Sequence, residues 1–168
     1  MTEQRTATVQ GVQLRFAAAH MATLGNQLEP LHGHNYEVSC RVDGSLTADR
    51  WVIDFSVLKR YVREACEQLD HRFLLQRDSP LLEISEQPDG CSLSFGERRY
   101  HFPAADVVAL PIENTTVELL AEWVAGRVTE ALAAGEHRNI ERVEVEVEEM
   151  PGQSGGYARD IEPAAAGN

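Results

Sequence analysis

The chain has 168 residues, enough for one domain that buries a core without disulfide staples. Acidic residues outnumber basic ones 27 to 15, a formal net charge of -12, which argues against a nucleic-acid or anionic-membrane surface. Three cysteines without paired metal spacing argue against a disulfide framework, and no apolar run reaches the ~20 residues of a membrane helix.

The opening segment, MTEQRTATVQ, lacks the basic and apolar regions of a signal peptide, so the cytoplasm is the expected location. Residues 10–20 alternate, with Val12, Leu14, Phe16, Ala18 and His20 on one face and Gln13 and Arg15 on the other. That is the pattern of a half-buried strand ending in a histidine. LGNQLEP reads as a loop. A second alternating run puts His32, His34, Tyr36, Val38, Cys40 and Val42 on one face before a turn at Asp43-Gly44. Asp54 is placed to cap a helix with the stripe Leu58, Tyr61, Val62, Ala65, Cys66 and Leu69.

The polar, turn-rich stretch QRDSPLLEISEQPDG leads into a hairpin, CSLSF and RRYHF, joined across Gly96-Glu97. Thr115-Thr116-Val117-Glu118 fits a capping box in which Thr115 and Glu118 satisfy each other's amides. A second helix follows, with a stripe from Val117 through Leu120, Val124 and Val128 to Leu132, and stops near Gly135. The last strand places Val143, Val145, Val147 and Glu149 on one face and Glu144, Glu146 and Glu148 on the other. Residues 161–168 are expected to be a disordered tail. This order of elements predicts one α+β domain over 1–160, built on an antiparallel sheet, with a hairpin insert near 91–102.

His32 and His34, two apart in a strand, point the same way and can hold one ion together. Gly33 between them adds no bulk where a metal approaches, and His20 supplies a third imidazole from another strand. Three neutral nitrogens leave a tetrahedral zinc ion one open position, the catalytic arrangement. The plain alternative is a surface turn at HGH and a satisfied strand-end histidine. Glu149 also stands out, because a carboxylate ending an apolar face needs a partner.

FAAAH at 16–20, LHGHNY at 31–36, WVIDFSVLK at 51–59, LDHRFL at 69–74, NTTVE at 114–118 and VEVEE at 145–149 resemble, in order, the blocks of the 6-pyruvoyltetrahydropterin synthase and 6-carboxytetrahydropterin synthase superfamily. The resemblance implies the T-fold: an antiparallel sheet with two helices on one face. Such sheets join about a threefold axis into a barrel, and two barrels stack as a homohexamer, a dimer of trimers, with active sites at subunit interfaces. It also implies zinc on His20, His32 and His34, and a pterin held by Glu149 and lined by Thr116 and Thr115. Asp70 and His71 become a proton-transfer pair; their plain reading is a charged helix end. Asp54 matches a family block but reads as a helix cap.

The chain departs from the usual family pattern before HGH, where Leu28 falls at the position of a catalytic cysteine in bacterial relatives. Glu29, three residues before His32, resembles a subgroup in which glutamate takes that role. The implied substrate is 7,8-dihydroneopterin triphosphate. Glutamate without cysteine points to cleavage toward 6-hydroxymethyl-dihydropterin, within folate-type biosynthesis. The alternatives are 6-carboxytetrahydropterin synthesis and a catalytically inactive pterin-binding homologue.

Overall fold

The two alternating runs that carry the histidines are strands, and they pair with each other. In the computed structural model, which describes residues 4–161, the chain forms β1 (Arg5–Val9), β2 (Arg15–His20), the two-residue β3 (Thr23–Leu24) and β4 (Gln27–Leu28), and the long β5 (His32–Gly44). α1 (Phe55–Leu69), β6 (Arg72–Gln76), β7 (Glu83–Gln87), β8 (Gly90–Phe95), β9 (Arg98–Pro103) and β10 (Val107–Leu110) follow. α2 (Val117–Ala134), β11 (Ile140–Met150) and β12 (Gln153–Asp160) complete the order.

The main sheet runs β10-β6-β2-β5-β11-β12, with β1 also paired to β5. It is mixed rather than wholly antiparallel, because β6 runs parallel to both β2 and β10. Parallel neighbours need long connections, and β3 to α1 supply one while β7, β8 and β9 supply the other. α1 packs over β1 and β2, α2 packs over β11 and β12, and the helices touch each other. The six stripe residues expected for α1 are its buried residues, and the Asp54 side chain caps it by accepting from the Ser56 amide at 2.6 Å.

A main core lies between the helices and the sheet, from Phe16 and Tyr36 to Leu120, Val124 and Val147. A second, smaller core gathers Met21, Leu28, Phe73, Leu75, Cys91 and Leu93 where the three-stranded sheet β7-β8-β9 meets the rest. The expected hairpin is therefore two strands of a three-stranded unit, since β7 comes from the stretch read as a loop.

Other expectations need correction. The alternating run at 10–20 does not start at residue 10: the chain turns at Gly11, whose φ is +120°, and leaves Val12 73% exposed. LGNQLEP is not a plain loop but turns through β3 and β4 at Gly25. The capping box does not form. Thr116, not Thr115, is the N-cap of α2 and makes no side-chain cap bond. Thr115 is buried, and its hydroxyl donates to Gln76 instead. Ile161, assigned to the tail, packs against the main core and donates its amide to the Glu141 carbonyl at 2.7 Å. The remainder of that tail, 162–168, lies outside the described residues.

Candidate metal centre and active site

Register builds the site. His20 in β2 pairs directly with His32 in β5, and Ala18 pairs with His34, so three imidazoles meet where the two strands end. The Nε2 atoms of His20 and His32 are 3.2 Å apart. His34 Nε2 lies 2.7 Å from Glu149 Oε1 near the end of β11. One ligand atom from each of these four residues falls within 4.8 Å of all the others.

Hydrogen bonds set the tautomers. His20 Nδ1 lies 3.1 Å from both the Thr115 carbonyl and its hydroxyl, and His32 Nδ1 lies 2.7 Å from the Pro30 carbonyl. A carbonyl can only accept, so these contacts assign the proton to Nδ1 in each ring and leave Nε2 with a free lone pair. This is how outer residues orient a metal-ligating histidine. Burial, with repulsion from His32 next, pushes the His20 pKa down from 6.5 to about 4, so the ring is neutral near pH 7.

These residues fit a metal. Among the described residues, the buried His34 Nε2 has no hydrogen-bond partner despite its close approach to Glu149, and neither has the hydroxyl of Tyr36, whose ring centroid lies 5.5 Å from that of His34. A buried orphan nitrogen is costly unless something binds it. Three imidazoles and a carboxylate are a zinc-type donor set. Gly33 has a different reason from the one expected: a Cβ there would come within 2.8 Å of the Ala18 carbonyl, so the close approach of β2 requires glycine.

Glu29 stands on the flank of the cluster, its carboxylate 3.9 Å from His32 Nε2 and 41% exposed. Cys40, Cys66 and Cys91 are all buried, and burial pushes the Cys40 and Cys66 thiols up to about 12. Thr115 supports His20, and the half-buried Thr116 opens α2.

Asp70 and His71 pair with each other but do not join the cluster. His71 Nδ1 is 2.8 Å from Asp70 Oδ2. They line a cavity of about 850 Å³ with Arg15, Asn35 and Glu37, from the polar side of the β2 and β5 pattern. Asp70 Oδ1 accepts the Ala17 amide at 2.7 Å, and His71 donates its amide to the Ala17 carbonyl at 2.6 Å. These bonds hold His71 at φ +56°, a conformation strained for a side chain-bearing residue. Partial burial raises the Asp70 pKa, but bonds from Ala17 and His71 outweigh it and keep the carboxyl below its ordinary value.

Sequence reasoning missed three supporting residues. Gln76 is 1% exposed, and its Oε1 accepts both the Thr115 amide and hydroxyl at 3.1 Å, so a chain of bonds runs from Gln76 through Thr115 to His20. Asn114 clamps Thr23 by two bonds of 2.8 Å. Arg98 reaches the segment before HGH from β9. Gln76 opens a stretch read as a polar loop, Asn114 lies in the NTTVE block with no role of its own read from it, and no local pattern marks Arg98.

The chain is similar to known proteins over most of its length. The family model described as 6-pyruvoyl tetrahydropterin synthase matches residues 11–160. A curated Methanocaldococcus jannaschii protein, provisionally named a 6-carboxy-5,6,7,8-tetrahydropterin synthase, is 31% identical over 150 residues, covering 89% of this chain and 92% of that protein. The crystal structure of Plasmodium vivax 6-pyruvoyltetrahydropterin synthase is similar at TM-score 0.88 and 34% identity, covering 95% of this chain and all of that one. Two variants of that protein, described as catalytic-residue mutants, replace a glutamate by alanine or cysteine.

Proposed function

The chain belongs to the 6-pyruvoyl tetrahydropterin synthase family, and from that premise we propose that it is a zinc-dependent lyase acting on 7,8-dihydroneopterin triphosphate, cleaving the side chain to 6-hydroxymethyl-dihydropterin. The observation that carries this reading is Glu29, a carboxylate beside His32 on the flank of the imidazole cluster. The catalytic glutamate named for the Plasmodium vivax relative supports giving it that role.

His20, His32 and His34 would hold the zinc, which would supply Lewis acidity toward the oxygens of the substrate side chain. Glu29 accepts a proton from a side-chain hydroxyl as the carbon–carbon bond breaks. His71, oriented by Asp70, delivers a proton to the carbon that stays on the pterin, and the other two side-chain carbons leave as an aldehyde that carries the triphosphate. Glu149 accepts hydrogen bonds from the pterin amino and ring NH groups, a donor pair suited to a carboxylate, with Thr116 assigned to the same end of the pocket and the buried Thr115 acting from behind through His20.

Within one chain Asp70 and His71 stand apart from the cluster, so we assign them to the site of a neighbouring subunit in a homohexamer, a dimer of trimers. The open edges at β10 and β12 support that assembly, because barrel closure would cover strand edges. A second reading, 6-carboxytetrahydropterin synthesis, is favoured by the name of the M. jannaschii relative. Mass analysis of the product from zinc-loaded protein and dihydroneopterin triphosphate tests both. The 6-hydroxymethyl product supports the first reading and the 6-carboxy product the second; no product would favour a pterin-binding homologue without turnover.

A further inference from the structure

Glu29 sits on a slender support. The strap from Met21 to Leu31 is held internally by two 2-residue strands and by one bond from the Glu29 amide to the Ala22 carbonyl, 3.0 Å long. So short a hairpin is marginal on its own. The Glu29 carboxylate is too exposed to be fixed by its own contacts, so its position depends on the backbone beneath it.

That backbone is gripped from the insert. Arg98, half-buried in β9, donates through Nη1 to the Leu28 carbonyl at 2.7 Å and through Nη2 to the Glu29 carbonyl at 2.8 Å. The guanidinium is itself aimed by Tyr100, whose hydroxyl oxygen receives Nε at 2.9 Å and Nη2 at 2.8 Å. Below it, Leu28 packs into the second core with Cys91 and Leu93 of β8. A planar fork serves two adjacent carbonyls as a lysine ammonium cannot.

We propose that Arg98 is a positioning residue for the reaction, and that the β7–β9 insert is the bracket that holds Glu29 beside the metal ligands. This rests on the proposed role of Glu29 as base. Arg98 touches no reacting atom; it acts through the strap. Its loss leaves the imidazoles and Glu149 in place but lets the carboxylate wander from the substrate.

The test compares wild type with Arg98→Met, Arg98→Lys and Tyr100→Phe, using Arg99→Ala in the same strand as control. Amide exchange over residues 22–29 reads the clamp directly, and steady-state kinetics read its consequence. Arg98→Met should speed exchange in that segment while α1 and α2 keep wild-type protection. It should lower kcat on the order of 10- to 100-fold, the scale of a misplaced catalytic group. KM, zinc content and neopterin affinity should hold. Arg98→Lys should recover part of the loss, and Arg99→Ala should behave as wild type. Tyr100→Phe keeps the ring but frees the guanidinium; it should shift exchange and kcat in the same direction, and it decides the matter should Arg98→Met not fold. Unchanged exchange, or a defect in KM or zinc content with kcat intact, would overturn the proposal. A wild type that turns over nothing contradicts the functional reading instead, and exchange then decides the clamp alone.

Discussion

The Nε2 atoms of His20 and His32 face each other across 3.2 Å, on residues paired directly between β2 and β5. With both Nδ1 atoms turned to carbonyls, two lone pairs converge on one point. Such an arrangement is repulsive unless a cation lies between them. Zinc should therefore bind at one ion per chain, and His34→Ala should release it, since two imidazoles rarely hold zinc against water. Gln76→Met, which cuts the chain of bonds to Thr115, should weaken zinc on the order of 10-fold or more without changing the stoichiometry. Elemental analysis and chelator competition measure both; equal zinc in wild type and His34→Ala contradicts the assignment.

The metal-free protein should lose stability as pH falls from about 6.5 toward 4. Burial, followed by repulsion from His32, lowers His20 from 6.5 to about 4, and burial followed by Arg60 lowers His137. A histidine with a depressed folded pKa takes its proton first in the unfolded chain, so its neutral form stabilises the fold above 6.5 and that contribution drains below it. For His20 the loss by pH 5 is about 2 kcal/mol. Denaturant unfolding of chelator-treated protein at pH 7.5 and pH 5 measures it, and equal stabilities would contradict the buried, neutral histidine.

Glu149 lies close enough to His34 to be either a fourth metal donor or the pterin anchor, and one variant separates these roles. Glu149→Ala should cut neopterin affinity by roughly 1.5–3 kcal/mol per lost charge-assisted bond while zinc remains bound. Fluorescence titration alongside metal analysis checks this. Loss of zinc with pterin affinity unchanged would make Glu149 a ligand.

Separation of the His71 pair from the histidine cluster makes a prediction about assembly. Light scattering should give a hexamer mass. Glu29→Gln and His71→Gln proteins, each inactive alone, should regain part of the activity when dissociated and reassembled together, because some mixed interfaces carry both intact halves. Inactive mixtures of confirmed mixed hexamers would place both groups in one subunit's site.

Much of the site could be read from alternation alone. His20, His32, His34 and Glu149 each extend a period-2 apolar face, and period 2 fixes the side of a sheet whatever the pairing. Strands without that rhythm were lost: RFLLQ and VVAL are short, and QSGGYARD has two glycines and no β-branched residue. The capping box failed because the Thr115 hydroxyl is committed to Gln76, 39 positions away. Arg98 was illegible for the same reason. The two carbonyls it grips lie 69 and 70 positions off, and its neighbours in RRYHF describe only a hairpin.

Glu29→Gln keeps the shape of the proposed base and removes its basicity. Zinc-loaded wild type and variant would be compared on dihydroneopterin triphosphate, with zinc content and neopterin affinity measured in the same preparations. The variant should bind both zinc and pterin as wild type does but form product at least on the order of 100-fold more slowly. The same product at the same rate from both proteins would contradict the assignment of Glu29 as the base.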